Sequence, residues 1–235
     1  MSVDGQHTLE LPIDLPMRDI LRMLTGSDQR SVPPRTLAMV NRLMGQVADH
    51  LTVRAVYRIL PVRRVTDTEL ELDGQVVFRG LVADFLKAAD RVVVFVATIG
   101  EALDEVAHEK RTLGYMDESF TFHVIGSAAA EASGDAVVDY LWEHEAQPTE
   151  ALTPAFCPGY CGMEISEQRT IFSILDAGPI GVRLLPTLLM QPLKSVSGLI
   201  GIGQADAIEQ HGFPCERCPN LYCPMRPDKH RKNLS

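Results

Sequence analysis

The chain has 235 residues, enough for one large domain or two small ones, and its 46% apolar and 23% charged residues provide for a real core in an ordinary globular protein. A formal net charge of −9 excludes a general nucleic-acid or anionic-membrane binder, because either needs a cationic face. The 5 cysteines fall in two bunches, an odd set that argues against a disulfide framework and for metal binding or redox chemistry in a reducing cytosol.

The first residues, Met1 to His7, are polar rather than basic and apolar, so no signal peptide is expected. The longest apolar stretch, from Ile180 to Ile202, is broken by Arg183, Pro186, Pro192 and Lys194, and no run reaches the roughly 20 residues that span a bilayer. A cytoplasmic protein with no membrane segment is the expectation.

In chain order, residues 1–8 read as a disordered start. Leu15, Ile20, Leu21 and Leu24 have helical spacing, with Gly26 as a stop. Ser31, Pro33 and Pro34 open a second helix, whose stripe of Leu37, Val40, Leu43, Met44, Val47 and Leu51 predicts core packing. Two β-type segments follow, 53–60 and 69–78, the latter containing the Asp73-Gly74 turn signal. Residues 91–97 are nearly all apolar, as in a strand buried on both faces, and a helix begins near Glu101. A long helix is predicted over about 120–145, with small residues from Gly126 to Ala130 that allow close backbone approach. Residues 147–160 read as a loop with three prolines, 166–175 as a helix, and 182–185 and 195–202 as strands. Gly201-Ile202-Gly203 lacks the full dinucleotide fingerprint and reads as a tight turn. His108, His123 and His144 lie on helical segments without spaced partners and read as surface or satisfied core histidines. The expected organisation is a body over 1–205, with 1–50 as a helical lead-in, and a cysteine-rich tail over 206–235.

Two constellations carry chemistry. In the tail, Cys215-Glu-Arg-Cys218 sets two sulfurs on one turn, and Cys223 five residues later closes the other side of an ion or cluster. Three cysteines demand a fourth ligand, for which Cys161, Cys157, His211 and His230 are the candidates, or an exchangeable position. The prolines after Cys218 and Cys223 favour an iron–sulfur cluster, with zinc as the alternative. The second constellation is Cys157-Pro158-Gly159-Tyr160-Cys161-Gly162, where Pro-Gly-Tyr makes a rigid turn presenting an aromatic ring and main-chain groups. It is followed by Glu167-Gln168, Ile171-Phe172, Ile180-Gly181-Val182, Pro192 and Lys194-Ser195-Val196-Ser197-Gly198.

This series, in order and spacing over about residues 153–203, resembles the activation domain of cobalamin-dependent methionine synthase, and more closely its short free-standing bacterial relatives with a cysteine-rich tail. The resemblance implies an α+β fold, a twisted antiparallel sheet flanked by helices, with a helical N-terminal region and an irregular Cys-rich C-terminal tail. It implies an accessory protein of corrinoid-dependent methyl transfer. Such a protein supports reductive reactivation or methylation of cobalamin held by a separate corrinoid protein or methyltransferase, using an electron and a methyl group from S-adenosylmethionine. Pro158, Gly159 and Tyr160 would lie against S-adenosylmethionine, with an acidic contact from Asp135 or Glu131 on the preceding long helix. The metal set would be Cys161, Cys215, Cys218 and Cys223, placing an iron–sulfur electron donor beside the ligand turn. The sequence departs from the family at Ala155, where an arginine pairs with the ligand carboxylate. Loss of that charge-assisted bond removes roughly 1.5–3 kcal/mol, or about 10- to 150-fold in affinity, unless Arg169 or Arg183 substitutes. The alternative reading is a non-catalytic binding module with a structural zinc in the tail and a lost or repurposed pocket.

Overall fold

The structure is a computed structural model that describes residues 5–25, 32–47, 51–160 and 162–211. Its centre is β5 (Arg91–Thr98), in which every residue after Arg91 is buried. A run of valines with one phenylalanine suits a strand covered on both faces, since β-branched and aromatic side chains pack well on a pleated surface. On one side β5 pairs antiparallel with β2 (Val53–Val65), from Arg54 opposite Thr98 to Pro61 opposite Arg91. On the other it pairs antiparallel with β9 (Ser195–Gln204), from Ser195 opposite Thr98 to Ile202 opposite Arg91.

The sheet is extended outward from these three. The far edge of β2 is shared by β1 (Gln6–Leu11) along its first half and by β3 (Glu69–Leu72) along its second. β3 continues through Asp73-Gly74 into β4 (Val76–Arg79), as the turn signal predicts. The far edge of β9 takes β6 (Glu150–Leu152). The result is a 7-stranded antiparallel sheet. A separate two-stranded ribbon joins β7 (Arg183–Leu184) to β8 (Met190–Gln191).

Alternation along the strands divides the core in two. Val93, Phe95, Ala97, Val196, Ile200 and Ile202 face α1 (Met17–Thr25), α2 (Pro34–Val47), α4 (Ala102–Thr112) and α5 (Met116–His144). Val92, Val94, Val96 and Leu199 face α3 (Leu81–Phe85) and α6 (Gln168–Ile174). Truncating a side chain as completely buried as Phe95 to alanine costs about 3–5 kcal/mol. The apolar stripe of α2 buries Val40, Leu43 and Val47, as its spacing predicts, whereas Leu37 near the start of the helix is 38% exposed. A short helix, α7 (Ala205–His211), follows β9 directly. Among the described residues no helix is long and apolar enough to cross a membrane.

Three expectations need correction. Residues 6–8 are not disordered: they begin β1, a half-exposed edge strand whose polar residues mask its alternation. Residues 150–152 form β6 within the expected loop. Gly201 and Gly203 make no turn, because they lie within β9. A Cβ at Gly203 would stand 2.4 Å from the Ala88 carbonyl oxygen, so glycine here permits the segment after α3 to press onto the sheet.

Candidate functional site

Beyond β6 the chain stays against β9. Thr153 donates its N–H to the Gly201 carbonyl at 2.9 Å, and its Oγ1 accepts from the Gly201 N–H at 2.8 Å. Phe156 and Leu199 then exchange both main-chain hydrogen bonds, at 2.8 and 2.9 Å. The backbones meet so closely that a Cβ on Gly198 would lie 2.6 Å from the Phe156 carbonyl oxygen. Phe156 is thereby fixed, and its ring stacks on Phe85 with centroids 5.5 Å apart.

From this anchor the Pro-Gly-Tyr turn projects. Tyr160 donates its N–H to the Cys157 carbonyl at 3.0 Å, Gly159 donates to Met163 at 2.8 Å, and Met163 donates back to Tyr160 at 2.9 Å. Met163 also bridges Gly80, at the start of α3. The turn is thus tied to the central sheet at one end and to a helix start at the other. Pro158 is buried, while Gly159 and the 44% exposed Tyr160 ring face solvent.

The Tyr160 side chain lies close enough to Glu131 of α5 to lower its carboxyl, so the structure brings the turn and one of the expected acidic residues together. Asp135 follows one helical turn on, and Asp139 another, so the three carboxylates form one stripe on α5. Asp19 of α1, which accepts from Arg22 at 2.6 Å, adds its charge to that of the stripe. Burial, then the charge of Asp135, raises the Glu131 carboxyl above its ordinary value, against the lowering pull of Tyr160. Asp135 opens to solvent, yet packing around it, followed by the charges of Asp139 and Asp19, raises it too. Carboxylates crowded and partly desolvated in this way are relieved by a cation, and an exposed aromatic face beside them favours an ammonium or sulfonium centre.

Ala155 is half-buried against the α5-side core and supplies no charge. Arg169 is exposed on α6, whose buried residues belong to the opposite core, and Arg183 donates to Gln191 Oε1 at 2.8 Å. Among the described residues neither arginine pairs with Glu131 or Asp135.

Sequence reasoning missed a second polar constellation. Lys194 is only 3% exposed, and its Nζ donates to the His123 carbonyl at 3.0 Å and to Ser127 Oγ at 2.9 Å, with Asp104 at 3.8 Å. The same nitrogen lies 3.2 Å from His123 Nδ1. Burial, then the Lys194 charge, lowers the His123 imidazole below its ordinary value, which suits a neutral ring accepting at Nδ1. His123 therefore has a partner, 71 residues away in sequence, that no local spacing reveals. The one legible signal was a lysine beside a strand in an otherwise apolar stretch. The other two histidines match their reading: His108 meets Arg111 and His144 meets the Tyr140 carbonyl, both exposed.

The expected metal ligands Cys161, Cys215, Cys218 and Cys223, like His230, lie outside the described residues. Cys157 is half-buried and not in a disulfide. Among the described residues no three His, Cys, Asp or Glu side chains converge as metal ligands.

No family profile matches the chain, and no curated protein matches it. Among solved structures, the crystal structure of the MetH reactivation domain bound to AdoHcy superposes with a TM-score of 0.60 at 18% identity, over 84% of this chain and 78% of that one. The α+β architecture, with helices on both faces of an antiparallel sheet, is the fold of that reactivation domain.

Proposed function

We propose that this protein is an accessory factor of corrinoid-dependent methyl transfer, supporting reductive reactivation or methylation of cobalamin carried by a separate protein. The observation that carries the reading is the Tyr160–Glu131 contact, made within the fold of a reactivation domain that binds AdoHcy. The Pro158-Gly159-Tyr160 turn holds the adenosyl ligand, and Glu131 and Asp135 hold its cationic end. Bound S-adenosylmethionine supplies the methyl group. The chain's own contribution is to seat it on a turn that cannot retreat, because Gly198 and Phe156 are in main-chain contact behind it.

A specific observation shapes the affinity. With Ala155 in place of an arginine, that counter-charge to the ligand carboxylate is missing while the acidic stripe repels it. S-adenosylmethionine should bind weakly to the wild type by calorimetry, and Ala155→Arg should tighten it at least about tenfold. Tight wild-type binding that the substitution leaves unchanged would overturn this account of the carboxylate. No binding to either form would favour the reading as a non-catalytic module.

We further propose that Cys215, Cys218, Cys223 and Cys161 hold an iron–sulfur cluster that delivers the electron, or a structural zinc in the alternative. Support comes from the tail spacing and from Cys161 following Tyr160 directly in sequence. Thiolate ligation couples order in the tail to metal. After anaerobic purification, Cys161→Ser should lower iron and sulfide content as much as Cys218→Ser does, and Cys157→Ser should matter less. Unchanged content in Cys161→Ser removes it from the ligand set.

A further inference from the structure

Away from the Tyr160 turn, a cleft of about 580 Å³ runs between α4 and the segment from Leu185 to Leu193. Its two walls differ in chemistry. One is a helix face carrying Glu101, Asp104, Glu105 and Glu109. The other presents Leu189 and Leu193, each 56% exposed, with Met190 and the buried Pro192.

Each wall shows features that internal stability does not require. Leu188 adopts φ +68°, a left-handed conformation that a leucine occupies only under constraint. The turn is closed by Leu188 N–H to the Leu185 carbonyl at 2.9 Å and by Leu185 N–H to the Leu189 carbonyl at 2.8 Å. The strained residue thus holds Leu189 out in water. Behind it, Ser195 Oγ donates to the Pro192 carbonyl at 2.7 Å, and Lys194 is fixed to α5, so the Leu193 side of the wall is rigid.

On the acidic wall, Glu101 and Glu105 have a local role, since acids at the start of a helix complement its dipole. Glu109 has none. It sits toward the far end of α4, where a negative charge opposes the dipole, and it extends the acidic stripe by one more turn. Among the described residues no cation pairs with Glu101, Glu105 or Glu109. The stripe from Glu101 to Glu109 covers about 12 Å, the length of roughly two helical turns.

We infer that this cleft is a docking groove for a basic amphipathic helix of a partner protein, with leucine-type side chains against Leu189 and Leu193 and lysine or arginine against Glu105 and Glu109. Charge complementarity selects the occupant. An acidic helix would be repelled, a purely apolar one would strand the carboxylates, and a helix with both faces satisfies both walls. The inference is independent of the function proposed for the Tyr160 turn, from which it uses no residue.

The test titrates the full chain with a synthetic 14-residue peptide of leucine and lysine patterned as an amphipathic helix. The comparison peptide has the same composition in a non-amphipathic order. Calorimetry should show binding of the first only. The double variants E105K/E109K and L189D/L193D should each weaken it by about tenfold or more. E143K/E164K, which changes net charge equally at exposed positions elsewhere, should leave it unchanged. On the wild-type protein, a photoreactive residue in the peptide should crosslink to the 185–193 segment. Equal loss in the control variant, equal binding of the reordered peptide, or crosslinks elsewhere would overturn the proposal. So would hexylamine displacing the peptide at matching affinity, since the cleft would then be a small-cation pocket.

Discussion

Glu131 is held in a state that costs the folded protein something when no ligand is present. Its carboxyl is raised by burial and by Asp135, so the folded chain binds that proton more tightly than the unfolded chain does. The sign follows. Below about pH 4 both states are protonated and the tighter binding contributes fully to stability, whereas that contribution is lost as pH rises through the folded value. Glu131→Gln keeps an acceptor for Tyr160 and removes the charge. It should therefore raise the melting temperature at pH 7.5 by roughly 2 °C, with the gain vanishing near pH 4, while weakening any cationic ligand of the turn. Thermal melts at the two pH values check it, and a loss of stability at pH 7.5 would show that the charged form is the one the fold prefers. The Tyr160 turn was identifiable from its motif, while the acidic residue of α5 expected to contact the ligand was only narrowed to Asp135 or Glu131. Which of the two lies nearer the turn depends on the rotation of α5 about its axis, a property of packing that helical spacing leaves free.

At the scale of elements, the site depends on how closely two strands of backbone approach. Gly198 admits the Phe156 carbonyl where a methyl group would sit 2.6 Å from it and 3.0 Å from the Phe95 ring. Gly198→Ala should cost about 1–3 kcal/mol and also displace the turn, because the bridge that anchors Phe156 cannot re-form nearby. A circular-dichroism melt reads the first effect, and loss of ligand binding in the still-folded variant reads the second. Elements with one strong period were legible: β5 as an unbroken apolar run, α2 as a stripe, and the body of α5. Elements defined by a neighbour were not. β1 was lost because His7, Thr8 and Glu10 make an edge strand look like a polar start. Gly201 and Gly203 misled because the same residue type serves turns and tight face-to-face contacts, and only the presence of Ala88 and Ala89 above them decides.

For the whole molecule, one feature of the sheet bears on how the protein is made. β9 lies between β5 and β6, in the interior of the sheet, yet among the described residues it is the last strand in sequence. A chain emerging from the ribosome therefore displays one bare edge of β5, the most apolar strand it has, together with the facing side of α5, until residue 204 is free to insert. Closing a sheet through so distant a pairing is slow, and the waiting state is the kind that self-associates through its exposed edge. A chain ended after Gln191 should accumulate as insoluble aggregate on expression, whereas one ended after His211 should remain soluble and melt cooperatively. If the two fractionate alike, the seam beside β5 closes by other means. If they differ, completion of the fold waits on a single ten-residue strand.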